Sequence, residues 1–357
     1  MTRAGPDTSS RADRIHGLDA ARAGAVAFMI FGHTADALLS MAVRDTPALQ
    51  SYWILRGITA PLFLFVSGWA VMTAISRSGA VGSAVLRARV PRVLLLFGLG
   101  LLLRWPGWGV DRLFALEPYV VAHFIGFDAL QCIGLALLLC AAALSVVHTP
   151  RTRLLMMGAL AVLVPAVGML PQAVSFLGGL PQPVPAAFVM SGTSPFPLLP
   201  WGGYFFAGTC AALLLPLIRR PAFRGLALGV AGLVLMASMQ LWFSRSLPIT
   251  HPVMYLHRLG EVLAVCAVWC ALPAAVATRL QPVGRSTLVL YVFHIPIVYG
   301  WSAFPSLHSA WGRTLNLWQV FAVAAVLLVG GLLLARAIRS GRAALERLFA
   351  RRTVAAS

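Results

Sequence analysis

Two titratable side chains, His33 and Asp36, lie one helical turn apart in an otherwise apolar stretch, MIFGHTADALLS, at residues 29–40. Residues three apart lie on the same face of an α-helix. Histidine exchanges a proton near neutral pH, and a carboxylate beside it can orient the imidazole and raise its basicity. This pairing is typical of a general base or a nucleophile, whereas helix packing alone would not need an imidazole.

The composition of the whole chain is typical of a membrane protein. The chain of 357 residues is 59% hydrophobic and only 11% charged, and its mean hydropathy is +0.85. A soluble protein carries about 25% charged residues. Because apolar runs of about 20 residues cross a bilayer, we predict an all-α polytopic membrane protein with a bundle of about ten transmembrane helices. The predicted spans are 18–41, 51–75, 90–105, 121–147, 154–171, 198–218, 222–243, 252–277, 286–302 and 316–337.

The placement of arginine predicts the orientation of these spans. The chain has no lysine, and with the N-terminus in the cytoplasm twenty loop and tail arginines lie inside. This is the positive-inside pattern, so both termini are predicted to be cytoplasmic, and much of the +18 charge is expected to meet anionic lipid headgroups. No basic solvent-facing module is present, which argues against nucleic-acid binding. The four arginines predicted outside are Arg44, Arg112, Arg245 and Arg313.

The predicted organisation has three parts, in the cytoplasmic (inner) membrane of a bacterium. Residues 1–16 are polar and predict a disordered cytoplasmic leader rather than a cleaved signal peptide. Residues 17–338 form the transmembrane domain, and residues 339–357 form a basic cytoplasmic tail.

Polar side chains from several predicted spans lie at a similar depth in the membrane. His33 lies about 20 Å from the cytoplasmic end of its helix. A charged group in hydrocarbon costs at least about 2.5–3.5 kcal/mol, so a common depth indicates a shared polar cavity. We expect Asp36 and Asp128 to pair there with Arg56 or Arg258, and Glu261 to pair with Arg258. The group comprises His33, Asp36, Arg56, His123, Asp128, Gln131, His257, Arg258, Glu261 and, nearer the midplane, His294.

A packing role is the alternative for several of these residues. Asp128 with Gln131, and Arg258 with Glu261, are equally compatible with staples between helices. His123 and Arg56 are compatible with positions at the membrane interface. The five cysteines fall inside predicted spans and are expected to pack there, without disulfides and without a metal site.

Five stretches, in order, carry a family resemblance. RIHGLDAARAGAVAFMIFGHTAD resembles the first helix of the transmembrane acyltransferases, which reads R-x-x-x-L-D-x-x-R-G-x-A, then a methionine-rich run, then His with an acid soon after. The stretches APLFLFVSGWAVM, FDALQCIGLALLL, LLPWGGYFFAG and GRSTLVLYVFHIPI are similar to four further elements. The resemblance is to the branch named for the heparan-α-glucosaminide N-acetyltransferase catalytic domain and runs over about residues 14–300. One departure is Arg22-Ala23-Gly24 in place of the family's Arg-Gly.

The resemblance implies transfer of an acyl group, commonly acetyl, from cytoplasmic acyl-CoA to an amine or hydroxyl of a saccharide or glycoconjugate at the membrane. It assigns His33 as the catalytic histidine, Asp36 as its companion, and Asp19 with Arg22 as the pair at the cytoplasmic end of the first helix. His294 is the other histidine that matches the family. His33 would act as a base or would itself take the acyl group before passing it on.

The remaining roles follow from the charges of such a reaction. The thioester oxygen gains negative charge, and Gln131 or Arg258 is expected to stabilise it. The CoA phosphates need a basic site, for which Arg87, Arg89 and Arg92 are candidates, although the positive-inside rule alone accounts for these arginines. The Pro- and Gly-rich loop 172–197 either covers the outer mouth of the cavity or is a surface connector.

Two other classes of function use the same features. Chains of Asp, Glu and His within a membrane also serve as proton relays, so a proton-coupled transporter or exporter is the main alternative. A catalytically inactive membrane scaffold is the third. An acyltransferase binds acyl-CoA, whereas a transporter shows substrate flux that depends on a pH gradient.

Overall fold

The computed structural model describes residues 16–244, 246–301 and 304–355, and their regular structure is helical apart from isolated β-bridges. The all-α prediction is confirmed. Residues 1–15, which make up most of the predicted leader, lie outside the described residues. The described α-helices are α1 (His16–Leu38), α2 (Met41–Arg44), α3 (Pro47–Arg56), α4 (Thr59–Ser78), α5 (Ser83–Leu103), α6 (Val110–Phe114), α7 (Pro118–Ile125), α8 (Ala129–Val146), α9 (Pro150–Gly168), α10 (Pro171–Gly178), α11 (Val184–Phe188), α12 (Leu198–Leu214), α13 (Pro221–Met239), α14 (Pro252–Cys270), α15 (Ala274–Arg285), α16 (Thr287–Tyr299), α17 (Leu307–Trp311) and α18 (Leu317–Ala355).

Six of the described helices are long and apolar enough to cross a membrane: α4, α8, α9, α12 with its 3₁₀ extension to Leu217, α14 and α18. This finding supports the predicted membrane protein. Helices also form at the other four predicted spans, as α1, α5, α13 and α16. They do not meet the same criterion, because α1 and α5 carry charged residues and the apolar parts of α13 and α16 are shorter. The count of ten spans and the orientation stay predictions.

Several predicted boundaries differ from those of the helices. The predicted span 51–75 is divided between α3 and α4, and the span 121–147 is divided between α7 and α8. The second break has a local cause. The Asp128 carboxylate accepts a hydrogen bond from the Ala129 N–H at 2.7 Å, and the Gln131 side chain accepts one from the Asp128 N–H at 3.1 Å. This capping box starts a new helix. At the other end of the chain, α18 continues without a break through the predicted domain boundary at 338.

Helix α1 lies at the centre of the bundle and packs against α4, α14, α15, α16 and α18. Small buried residues allow these neighbours to approach closely. A Cβ atom at Gly24 would collide with the ring of Trp269 on α14. The close approach at this end of α1 therefore depends on Gly24, although Ala23 separates it from Arg22.

The helices α4 and α12 cross with a close approach of their backbones. The largest fully buried side chains include Trp69 on α4 and Tyr204 on α12. The two backbones touch at a reciprocal pair of glycines. A Cβ atom at Gly68 would overlap the carbonyl group of Phe205, and one at Gly208 would overlap the carbonyl group of Phe65.

We expect Gly68→Ala to lower the free energy of unfolding by about 1–3 kcal/mol, the usual cost of overpacking, because the added methyl meets a backbone carbonyl that cannot rotate away. The measurement is the unfolding of both proteins in the same detergent. Gly158→Ala on α9 is the matched control, since no atom lies within 4 Å of its added Cβ. Equal stability of the Gly68 variant and the control would contradict the close crossing.

Candidate active site

A cavity of about 590 Å³ lies beside the C-terminal half of α1. Six helices and the segment before α12 contribute to its wall. A mostly apolar and aromatic wall with a few polar groups is typical of a small-molecule site. The aromatic lining residues are Trp53, Phe63, Phe196, Trp201, Tyr291 and Tyr299, and the polar ones are His33, Arg56, Thr59 and Asp128. We call this space the histidine cavity.

His33 is half-buried in the wall of the histidine cavity, and its ring bonds to His294. The Nδ1 atom of His33 lies 3.0 Å from Nε2 of His294, and the two rings stack with an interplanar angle of 15°. His294 is completely buried on α16, and its Nδ1 lies 2.7 Å from the carbonyl oxygen of Leu290.

These two bonds define the tautomers of the neutral pair. A carbonyl oxygen only accepts, so Nδ1 of His294 carries the proton and donates it to Leu290. Nε2 of neutral His294 is then an acceptor, and Nδ1 of His33 donates to it. As a result, the lone pair of neutral His33 lies on Nε2. An imidazole in this tautomer can take a proton or attack a carbonyl carbon from Nε2.

Asp36 is engaged by arginines rather than by the His33 ring. Its carboxylate pairs with Arg56 of α3 and lies 3.3 Å from Nη2 of Arg44. The expected ion pair between Asp36 and Arg56 therefore forms. The expected orientation of His33 by Asp36 does not appear in the described contacts, because two guanidinium groups occupy the carboxylate and His294 bonds the ring.

Asp128 lines the histidine cavity at the N-terminus of α8. It accepts a hydrogen bond from the hydroxyl of Tyr291 on α16 at 3.0 Å. The predicted pairing of Asp128 with Arg56 or Arg258 is wrong, because the N–H groups and the positive end of the helix dipole stabilise this carboxylate instead. Gln131, which is 1% exposed, completes the cap within its own helix. The hydrogen bond that links Asp128 to another helix is therefore made by Tyr291 and not by Gln131.

Arg258 and Glu261 form the predicted ion pair on α14, at 2.7 Å, and Nδ1 of His257 lies 3.5 Å from the same carboxylate. The Arg258 guanidinium lies against Gly57, on the side where a Cβ would be. The described lining of the histidine cavity includes neither Arg258, Glu261 nor Gln131. These three residues are therefore placed behind the wall, where Gln131 and Arg258 are poorly positioned to meet a thioester oxygen. His123 is exposed on α7.

Two further cavities lie along the N-terminal half of α1. One, of about 310 Å³, shares Phe63 with the histidine cavity and is lined by Arg22, Arg89 and Arg92; we call it the arginine cavity. The other, of about 470 Å³, shares Arg22 with the arginine cavity and reaches Asp19. The three cavities thus follow one another along α1. His33 follows Arg22 by eleven positions, which is a rise of about 16 Å along the helix.

The arginines at this end differ in what they bond. Nη2 of Arg22 donates to the Thr287 hydroxyl at 3.0 Å, and Nη1 lies 3.8 Å from Asp19, which also accepts from Gln281. Nε of Arg89 is buried and has no partner among the described residues. Arg87 donates to Ser83 at 3.2 Å and is exposed, outside the described lining. Arg89 and Arg92 are three apart and share a face of α5, whereas Arg87 is two residues away from Arg89 and points elsewhere.

Several lining residues were not predicted. Tyr291 precedes His294 by three residues. This spacing places both residues on one face of a helix, and it is the feature of the sequence from which Tyr291 could have been predicted. Tyr299 follows on the same helix and lies edge-on to the His33 ring. Phe196, near the end of the segment predicted as a lid or a connector, also lines the cavity. That segment is held by Arg104, which donates to the carbonyl oxygen of Thr193 at 2.7 Å.

We expect ¹⁵N NMR of histidine-labelled protein to show His33 protonated at Nδ1 and unprotonated at Nε2 when the ring is neutral. His294→Ala removes the acceptor, so the Nε2-protonated tautomer should appear. His294→Gln should retain the wild-type signals, because an amide oxygen can accept from His33. His148→Ala, at an exposed position, is the control. A wild-type His33 signal with the proton on Nε2 would contradict the assigned tautomers.

Comparison with known proteins places the chain in a family. The family described as "Heparan-alpha-glucosaminide N-acetyltransferase, catalytic" matches residues 14–226, which is more than half of the chain. No curated protein is significantly similar to the chain. The match begins before α1 and extends into α13, so it includes His33 and the arginines of the arginine cavity. The chain therefore belongs to the family of heparan-alpha-glucosaminide N-acetyltransferase catalytic domains, which implies a membrane acetyltransferase.

Proposed function

We propose that the protein transfers an acetyl group from acetyl-CoA, bound through the arginine cavity, to an amine or hydroxyl of a saccharide bound in the histidine cavity. The observation that carries this proposal is the row of cavities along α1, with arginines at one end and the His33 imidazole at the other. In the proposed topology, ten helices of the domain at residues 17–338 span the cytoplasmic membrane and both termini are cytoplasmic. The donor then enters from the cytoplasm and the acceptor from the outer side.

The donor side fits an anionic head with a long, thin arm. Guanidinium groups of Arg22, Arg89 and Arg92 suit the phosphates, because a planar fork of N–H donors matches phosphate oxygens. The buried Nε of Arg89 lacks a partner among the described residues, and a bound phosphate oxygen would supply one. The pantetheine arm would pass Phe63 and bring the thioester to His33. Arg87, which was also predicted to bind phosphate, is assigned to the positive-inside pattern only.

The acceptor side fits a saccharide ring. Aromatic side chains present flat apolar faces to a ring, and Trp53, Trp201 and Tyr299 line the histidine cavity. The Asp128 carboxylate, held by Tyr291, would accept a hydrogen bond from the attacking amine or hydroxyl. This contact would orient the nucleophile for attack on the thioester.

The chemistry assigned to His33 is proton transfer. The acceptor nitrogen or oxygen attacks the thioester carbon while Nε2 of His33 takes the proton of the acceptor, and the C–S bond then breaks as His33 gives this proton to the CoA sulfur. Thr59 and Trp201 line the cavity and carry buried donors without a partner among the described residues. We assign them, in place of Gln131 and Arg258, to the developing oxyanion. Attack by Nε2 itself would use the same lone pair, and an acetylated His33 trapped without acceptor would identify that route.

The main rival function is a proton-coupled transporter or exporter that uses the same His, Asp and Glu groups. The family membership gives it no support. A transporter would show flux driven by a pH gradient in reconstituted vesicles and would not respond to CoA.

We expect CoA or acetyl-CoA to raise the melting temperature of the purified protein, since a ligand at 100 times its Kd adds about 2.7 kcal/mol to the folded state. Arg89→Gln combined with Arg92→Gln should abolish the shift. Arg87→Gln should keep it, because Arg87 lies outside the described lining of the arginine cavity. If the wild-type protein does not respond to millimolar CoA, the donor assignment fails and the transporter gains weight.

We expect His33→Ala to fold and to retain the CoA-dependent melting shift, while acetyl transfer falls by about 10²–10⁴-fold, as on loss of a general base. Transfer and melting are measured on the same preparations, with His148→Ala as the control for loss of an exposed histidine. Should His33 only pack helices, its loss would lower the melting temperature and leave turnover per folded molecule unchanged.

A further inference from the structure

The segment between α11 and α12, residues 189–197, is bonded to the backbone that leads into α8. We call this segment the strap. The N–H of Phe127 donates to the hydroxyl oxygen of Ser194 at 2.9 Å, and the N–H of Phe196 donates to the carbonyl oxygen of Phe127 at 3.2 Å. Ser194 is completely buried. The strap is therefore paired with the residue that directly precedes Asp128.

Arg104, the residue after α5, holds this junction together. Its Nη1 atom donates to the carbonyl oxygen of His123, in the last turn of α7, at 2.9 Å, and to that of Thr193, in the strap, at 2.7 Å. Arg104 takes part in none of the ion pairs formed among the described residues. Hydrogen bonds from a charged donor are stronger than those between neutral groups. One guanidinium group thus ties α5, α7 and the strap to each other.

The connection between α7 and α8, residues 126–128, allows the strap to approach closely because it begins with glycine. A Cβ atom at Gly126 would overlap the carbonyl oxygen of Thr193, which is the oxygen that Arg104 binds, and would lie 2.8 Å from Nη1 of Arg104. A Cβ atom at Gly192, within the strap, would have no atom within 4 Å. The close contact is therefore made at Gly126 and not at Gly192.

The junction carries two residues of the wall of the histidine cavity. Asp128 ends the connection between α7 and α8, and Phe196 belongs to the strap; both line the cavity. The Phe196 ring also lies 4.9 Å from the ring of Trp201, another lining residue. Arg104 is not part of the described lining. Any effect of Arg104 on a bound acceptor would therefore pass through the residues that it holds in place.

We propose that Arg104 is a positioning residue for the acceptor, because it holds the strap against the connection between α7 and α8 and so fixes the Asp128 carboxylate and the Phe196 ring relative to each other. This inference rests on the proposed function, in which Asp128 contacts the attacking amine or hydroxyl. A misplacement of about 1 Å can cost about 100-fold in rate. The donor site should not change, since the described lining of the arginine cavity contains no residue of this junction.

The first test is steady-state acetyl transfer with glucosamine as the acceptor probe. Arg104→Met should raise the KM for glucosamine about tenfold, the equivalent of one charge-assisted hydrogen bond. The KM for acetyl-CoA and the CoA-dependent melting shift should stay unchanged. Arg104→Lys keeps the charge on a shorter side chain, so it should give an intermediate KM, and it replaces Arg104→Met if that variant does not fold. A purely structural role would lower the melting temperature and leave both KM values unchanged in the folded molecules.

A matched pair of glycine variants tests the same contact from the other side. Gly126→Ala should push the Thr193 carbonyl group away from Arg104 and raise the KM for glucosamine in the same way. Gly192→Ala is the control within the strap and should keep the wild-type KM, since its added methyl group meets nothing. Equal KM values for the two variants would contradict the inference.

Hydrogen exchange tests the junction without any substrate. The amides of Phe127 and Phe196 are the donors between its two sides, so the peptides that contain them should exchange faster in Arg104→Met than in the wild-type protein. The control is Arg112→Gln, whose arginine bonds to Glu117 at 2.8 Å on the exposed surface. This variant should exchange like the wild-type protein.

Two results would overturn the inference. One is unchanged exchange of these peptides in Arg104→Met. The other is a wild-type KM for glucosamine in both Arg104→Met and Gly126→Ala. Because exchange is measured without acetyl-CoA and without acceptor, faster exchange in Arg104→Met of a protein that transfers no acetyl group would refute only the proposed function.

Discussion

A bilayer offers no water to a polar side chain, so each titratable group on a central helix has to find a partner on another element of the protein. Among the described side chains of α1, four are titratable, and each of these has such a partner. Asp19 meets Gln281 on α15, Arg22 meets Thr287 on α16, His33 meets His294 on α16, and Asp36 meets Arg56 on α3. These four contacts lie at successive depths along one helix. They tie the surrounding elements to α1 and explain why it lies at the centre.

The partner of each titratable side chain determines which of its atoms remain available for a substrate. Had a carboxylate bonded His33, it would have stabilised the charged imidazole. His294 is instead buried and donates to a carbonyl oxygen, which leaves the lone pair of neutral His33 on Nε2. Asp36 is occupied by arginines, and Asp128 is occupied by a tyrosine hydroxyl and its own helix cap. Similar residue types at similar depth therefore differ in what remains available for chemistry.

The family match and the site do not cover the same part of the chain. The match ends at residue 226, whereas Thr287, Tyr291 and His294 come from a later segment. Helix α16 supplies these three residues within eight positions and packs directly against α1. The candidate site is thus formed between the matched region and the C-terminal helices, and a fragment that contained only the matched region would lack the ring partner of His33.

Composition and local spacing were sufficient to predict the fold class and several of the residues that line the histidine cavity. Apolar runs predicted a helical membrane protein, and the positions of polar residues within them predicted a cavity that includes His33, Arg56 and Asp128. The pairs Asp36–Arg56 and Arg258–Glu261 also followed from depth and charge. Depth along a helix is readable from sequence because the rise per residue is constant.

Only the tertiary structure decided which way each side chain points around its helix and what it meets there. Depth alone could not separate Arg258, which lies behind Gly57, from Arg56, which lines the cavity. It also could not separate Arg87 from Arg89. Asp128 starts a helix through its local cap with Gln131, but the residue that its carboxylate meets on another helix, Tyr291, lies more than 160 residues away in sequence. The partner of His33 is 261 residues away in sequence, and such a contact depends on how the helices pack, which local patterns do not encode.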